Sequence, residues 1–307
     1  MTLLPYDEFA LFEENVEEFD LPTSGPPAVR RVETVVDEST GRAVSALVWG
    51  DYDPQLVFIH GGAQNAHTWD TVALALGVSV LAVDLPGHGH SGWRDDGAYT
   101  PTNLADDVAA VIRQLAPEAK AVVGMSLGGL TSIELADRHP ELVRQLVLVD
   151  ITPGVNQQKA KAVIDFVDGP QTFASFDDLL ARTIEHNPTR TRSSLRRGIL
   201  HNAHQTDDGQ WQWNYDRRSH ARSGDSPAAP DATVALAYSP LWDHFGNVNV
   251  PVTLMRGSLS PVVDDDDEAE ARRRQPQIRI ELIDGAGHSI QGDRPVELAM
   301  LIRDAVL

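Results

Sequence analysis

The sequence predicts an α/β protein: a mostly parallel, eight-stranded sheet with helices on both faces and a helical insertion in the second half of the chain. Three observations predict it. Short, wholly apolar runs such as Leu56–Ile59 and Leu146–Val149 read as strands buried on both faces, which is the mark of a parallel sheet. These runs alternate with stretches of helical period. The alternation breaks once, over residues 155–245, and then resumes.

Residues 5–19 (PYDEFALFEENVEEF) have the spacing of an acidic amphipathic helix, and the Pro/Gly-rich residues 21–28 form a linker. Val29–Val36 and Ala43–Trp49 are strands able to pair as a hairpin around Ser39–Gly41. Leu56–Ile59 and Val78–Val83 follow as buried strands, with a helix at Trp69–Leu76 between them. A helix at Leu104–Leu115 leads to a strand at Ala121–Val123, a helix at Leu127–His139 stopped by Pro140, and a strand at Leu146–Val149. Residues 155–245 are polar and mostly helical, with a loose segment at 224–232. Strands at Val252–Met255 and Ile278–Ile283 and helices at Asp266–Arg274 and Pro295–Val306 complete the chain. The organisation expected is an N-terminal helix and linker (1–28), a core (29–154 and 246–307), and a helical cap or lid (155–245). The lid would lie over the carboxyl edge of the sheet, where open α/β folds bind ligands.

Composition narrows the function. Across 307 residues, 25 Lys and Arg stand against 45 Asp and Glu, a net charge of −20. Nucleic acid and anionic membranes need a basic footprint, so neither is an expected partner. With no cysteine, thiolate metal sites, disulfides and a cysteine nucleophile are excluded. The opening MTLLPYDEFALFEEN lacks a basic region followed by an apolar run, and no stretch approaches 18 apolar residues, so a cytoplasmic protein without a transmembrane helix is expected.

Gly124-Met125-Ser126-Leu127-Gly128 lies between an apolar strand and a helical pattern. A serine nucleophile needs a sharp strand-to-helix turn that projects its Oγ clear of the backbone, and such a turn is too crowded for side chains on either side. Ser126 is therefore the candidate nucleophile, with the helix behind it favouring developing negative charge. An oxyanion hole needs two convergent backbone N–H groups. Leu127 supplies one, and Gly62, in His60-Gly61-Gly62-Ala63, supplies the other, while His60 braces that loop. Of the 11 histidines, only His288 sits in a Gly-flanked loop just after a C-terminal strand, and it is the candidate general base; His88 and His90 are the competitors.

Together FIHGGAQNAHTWD, VDLPGHGHS, GMSLGG, LVLVD and GAGHS resemble the α/β-hydrolase superfamily from about residue 29 to the end, and most resemble actinobacterial, mycobacterial-type carboxylesterases. The resemblance implies an eight-stranded α/β-hydrolase fold and a serine esterase acting on small-molecule esters of small to medium acyl groups; the mechanism such residues support needs no metal or cofactor, and monomer and homodimer both stay open. It also implies an acid after the seventh strand in a G-x-x-D-x-x-V pattern, but here Ser260 holds that place. Some members take the acid from just after the sixth strand, which is Asp150 here. At the end of a buried strand a carboxylate needs a partner, and His288 is the natural one. Asp264 is the alternative acid. Gly61, Met125 and Trp69, beside the motifs, are expected to line the substrate pocket, with Phe166, Trp211 and Trp213 from the insertion. C–C bond hydrolysis, thioester or lactone cleavage, and ligand binding without turnover are the rival functions on these residues.

Overall fold

A computed structural model describes residues 6–22, 27–219 and 240–307; the segment 224–232 lies outside the described residues. The first helix, α1, is Phe12–Glu18, shorter than the pattern over 5–19 predicts. Asp7 Oδ1 accepts from the Phe9 backbone N–H at 3.1 Å, and this local bond competes with helical pairing in the first turn.

β1 (Val29–Asp37) and β2 (Arg42–Trp49) form the antiparallel hairpin, closed at Gly41 with φ +73°. β3 (Leu56–Ile59), α2 (Asp70–Leu76), β4 (Val80–Val83), α3 (Pro101–Leu115), β5 (Ala121–Met125), α4 (Leu127–Arg138) and β6 (Leu146–Val149) then alternate. The chain leaves the sheet through α5 (Lys161–Val167), β7 (Thr172–Phe173), α6 (Phe176–His186), α7 (Arg192–Asn202), β8 (Ala203–Gln205) and β9 (Trp211–Trp213). It returns through α8 (Leu241–Asn247), β10 (Val252–Gly257), α9 (Asp265–Arg274), β11 (Arg279–Ile283), α10 (Ile290–Asp293) and α11 (Pro295–Val306). The eight-stranded sheet runs β1-β2-β4-β3-β5-β6-β10-β11 and is parallel from β4 onward. After β3 the chain adds β4 on one side and then crosses to β5 on the other. The carboxyl ends of β3 and β5 therefore flank a topological switch point, where a crevice opens.

Strand pleating sorts the core into two layers. Val57 and Ile59 pack with Val108, Ile112 and Ile133 of α3 and α4, whereas Leu56 and Phe58 pack with Val72, Leu298 and Ile302 of α2 and α11. The inserted segment has its own apolar cluster around Leu179, Ile199, Trp211 and Trp213. It also carries a three-stranded sheet, β7-β9-β8, where a mostly helical segment was expected. The turn at Thr206–Gly209 and the alternation Trp211-Gln212-Trp213 are its local signals. Among the described residues no helix is long and apolar enough to cross a membrane.

A buried charge network ties the N-terminal segment to the core. Glu8 pairs with Arg31 and, at 3.0 Å, with His67; Arg31 reaches Asp84 at 2.7 Å; His67 reaches Asp70 at 2.9 Å. Burial alone would lower the His67 pKa, but Asp70 and Glu8 outweigh it and hold the ring at about 9, above its ordinary 6.5. Burial would raise Glu8, and the hydrogen bonds from His67 and Arg31 reverse that, holding it at about 2 against an ordinary 4.5. The His67 contribution to stability is thus complete below pH 6.5 and lost as pH rises through 9. The Glu8 contribution is complete above pH 4.5 and lost as pH falls through 2. The thermal midpoint is expected to decline from pH 6.5 to 9, and His67→Gln to flatten that slope. An unaltered slope in His67→Gln, followed by calorimetry, would remove His67 from this account.

Candidate active site

β5 delivers its chain to Ser126 at φ +51° and ψ −120°, a conformation that side-chain-bearing residues rarely adopt, and α4 begins at the next residue. The flanking glycines are a steric requirement. A Cβ at Gly124 would lie 2.4 Å from Gly128 O, and one at Gly128 would lie 2.3 Å from Ile59 O. Leu127 is the first helical residue, so its N–H has no carbonyl partner within the helix.

The residues at positions 126, 288 and 150 meet at this edge of the sheet. His288 Nε2 lies 3.1 Å from Ser126 Oγ, and Nδ1 lies 2.8 Å from Asp150 Oδ2. The Asp150 carboxylate is fully buried and every approach to it is a donor. Gly257 N–H donates to Oδ1 at 2.9 Å, while Ser260 Oγ–H and the His288 ring donate to Oδ2. Asp150 itself stands at φ +51°, its N–H donating to Met255 O at 2.8 Å. Ser260, at the position where the resemblance leads one to expect an acid, hydrogen-bonds the carboxylate that comes instead from β6. Asp264 does not approach this group. It caps α9 by accepting from Asp267 N–H at 3.0 Å and pairs with Lys159 at 2.8 Å.

The loop after β3 closes over the same point. His60 Nδ1–H donates to Gly61 O at 2.7 Å and Nε2 accepts from Leu85 N–H at 2.9 Å, so the ring ties the β3 and β4 loops together. Burial lowers its pKa, which keeps it neutral in that role. Gly61 N–H is spent on Gln64 Oε1 at 3.1 Å; Gly62 follows, half-buried, and Ala63 holds φ +57°. His88 Nδ1 donates to Pro86 O at 3.1 Å, stacks edge-on against His60, and shapes the neighbouring loop, where His90 N–H donates to Asp84.

The three residues expected to line a pocket are buried instead. Trp69 has no exposed surface: its ring stacks on Phe58 at 4.9 Å and fills the layer under α2. Met125 shares the pleat of Ala121 and Val123, which turns it into that same layer, away from the crevice. Gly61 is packed against Met125, and a Cβ there would meet Met125 Sδ at 2.5 Å. The cavity beside the site is lined by Phe166 and Trp213, with polar groups of Gln64, Ser289 and α7, whereas Trp211 packs against Phe176.

Among the described residues, His67, Asp70 and His201 bring three possible metal ligands within 4.8 Å of one another. Both nitrogens of His67 face carboxylates, and as the imidazolium favoured by Asp70 and Glu8 it donates to both and has no lone pair for a metal, while its ring stacks on that of His201 at 3.8 Å. His67 and Asp70 are hydrogen-bonded to each other and Tyr6 donates to His201 Nδ1 at 2.7 Å, while His201 Nε2 stands 3.7 Å from Asp70 without a hydrogen bond. His204 is exposed, whereas His201 is buried because α7 presses its last turn on the turn at His67.

Comparison with known proteins follows this geometry. A family model described as "alpha/beta hydrolase fold" matches residues 54–295. The chain is 44% identical over 305 residues to the esterase Rv0045c of Mycobacterium tuberculosis, across 97% of this chain and 95% of that protein. A solved structure of that esterase superposes with a TM-score of 0.83 at 43% identity, covering 99% of each chain. The chain is also 28% identical over 245 residues to 2-(acetamidomethylene)succinate hydrolase of Mesorhizobium japonicum, across 79% of this chain and 84% of that protein.

Proposed function

The chain belongs to the α/β-hydrolase fold family, and from that premise we propose that it is a carboxylesterase that cleaves small-molecule esters of small to medium acyl groups through an acyl-enzyme on Ser126. The observation that carries this reading is the unbroken line of hydrogen bonds from buried Asp150 through His288 to a serine on a strained elbow. The similarity to a mycobacterial esterase over nearly the full chain supports it. His288 Nε2 takes the Ser126 proton as Oγ attacks the ester carbonyl, while Asp150 holds Nδ1–H and stabilises the imidazolium. The N–H groups of Leu127 and Gly62 receive the oxyanion. His288 then protonates the leaving alcohol and activates the water that releases the acid. The steps call on protein groups alone. The insert over 155–245 is read as the lid that shapes the acyl or alcohol pocket.

Ser260 is a positioning residue in this mechanism. Its hydroxyl fixes Asp150 Oδ2 at the oxygen that also receives His288. Ser260→Ala is expected to lower kcat about tenfold, from the loss of one hydrogen bond to a buried carboxylate, with little change in KM. Ser260→Thr, which keeps the hydroxyl, should restore most of it. A Thr variant as slow as the Ala variant would assign the loss to packing.

A fluorophosphonate probe with p-nitrophenyl esters of increasing chain length tests the whole reading. Labelling at Ser126 with rapid acetate or butyrate turnover is expected. Labelling with no turnover of any ester would make the chain a ligand-binding relative.

A further inference from the structure

A cavity of about 130 Å³ opens between α1, α7 and the turn after His288. Gln64 and Ser289 line it. Ser289 follows the candidate base, and the Gln64 carboxamide contacts Gly61, the glycine on which Ser126 Cβ also rests. The cavity therefore neighbours the proposed ester-binding crevice through Gln64 and Ser289, although Ser126, Leu127 and His288 do not line it.

Two arginines line this cavity, and they differ in their partners. Arg197 is neutralised, at 2.5 Å from Glu18. Arg190 makes no ion pair among the described residues. Its Nη2 donates to Ser194 Oγ at 2.7 Å, its Nη1 makes no hydrogen bond among the described residues, and its Nε is sealed without a partner. The Nε rests on Gly292, where a Cβ would lie only 2.6 Å away, so the glycine makes the slot the side chain occupies. The neighbouring acid, Asp293, accepts from Thr189 Oγ1–H at 2.9 Å and from Gly287 N–H at 2.7 Å, and acts on Arg190 through its charge without forming an ion pair with it. Arg190 is partly buried, and burial pushes its pKa down against the opposing pull of Asp293 and Glu18, so a partly desolvated cation lines the cavity without an ion pair among the described residues. A ligand carboxylate in the cavity would supply the direct ion pair that the fold leaves unmade.

We propose that Arg190 is a substrate-binding residue for a carboxylate, so that the preferred esters carry an anionic group remote from the scissile bond. The proposal rests on the esterase reading above. A planar guanidinium pairs with a carboxylate through two parallel N–H groups, and one guanidinium matches one negative charge. A doubly charged phosphate would add a second charge beside Asp70, which shares the cavity wall.

The test compares kcat/KM for matched pairs: the p-nitrophenyl half-ester of glutaric acid against p-nitrophenyl valerate, and 4-acetoxybenzoate against phenyl acetate. The first pair places the carboxylate on the acyl side and the second on the alcohol side. In the native enzyme one anionic member is expected to exceed its neutral partner. Arg190→Gln should lower that anionic-to-neutral ratio about 10- to 100-fold, the value of a charge-assisted pair. Arg190→Lys should keep part of the preference, because it keeps the charge but not the planar fork. If the native enzyme prefers neither anionic ester, or if Arg190→Gln slows both members of a pair equally, the proposal fails while the esterase reading stands. Absence of turnover for all four esters removes the esterase reading, and the proposal with it.

Discussion

Replacing Ser126 by Ala is expected to lower kcat on p-nitrophenyl acetate by about 10⁴- to 10⁶-fold and to abolish fluorophosphonate labelling, with the fold intact. The substitution removes only Oγ. Ser126 already pays for φ +51°, and alanine meets the same backbone requirement, so the elbow neither relaxes nor collapses. The glycines at 124 and 128 still let the turn form against Ile59. Activity that remains would come from the oxyanion donors and from binding alone. The measurement is active-site titration and turnover beside a thermal melt. A variant that retains even a few per cent of native turnover, with its melting curve unchanged, would show that another group attacks the ester.

Asp150→Asn is expected to cost about 10⁴-fold in kcat. The surroundings dictate why. Gly257 N–H faces Oδ1 and can only donate, so the amide oxygen of asparagine must take that side. The amide NH₂ then faces His288 Nδ1 and Ser260 Oγ. Nδ1 must become an acceptor, which moves the ring proton to Nε2, the nitrogen that faces Ser126 at 3.1 Å. In that tautomer the imidazole cannot accept the serine proton. Asparagine tolerates positive φ better than most residues, so the backbone at +51° is kept and the loss reports chemistry instead of folding. Asp264→Asn, at a helix cap away from the site, should leave kcat near native and serves as the comparison. Near-native turnover of Asp150→Asn would remove Asp150 from the mechanism.

The features legible in the sequence are those that local chemistry dictates. The central strands β3 to β6 are buried on both faces and read as short apolar runs, whereas the edge strands β1 and β11 carry exposed polar residues; the eight strand segments predicted correspond to the eight strands observed. The serine elbow needs small residues at fixed offsets, so Gly124 and Gly128 announce it before any fold is known. The small sheet of the insertion was harder to read, because strands of two and three residues carry no period of their own.

Ser260 shows the boundary best. On its own segment it is a missing acid, and only across 110 positions does its hydroxyl meet Asp150. Trp69 and Met125 sit beside the motifs in the chain, yet the pleat of β5 and the roll of the turn before α2 send both into the core. The charge on Arg190 is likewise ordinary in the sequence and distinctive only where the folded chain lines a cavity with it, without an ion pair among the described residues. Sequence alone determined the strand order in time, the elbow and the histidine loop, because the forces that demand them act within a few residues. Tertiary structure decided which carboxylate meets the imidazole and which side chains face the ligand, because those contacts depend on surfaces brought together from distant parts of the chain.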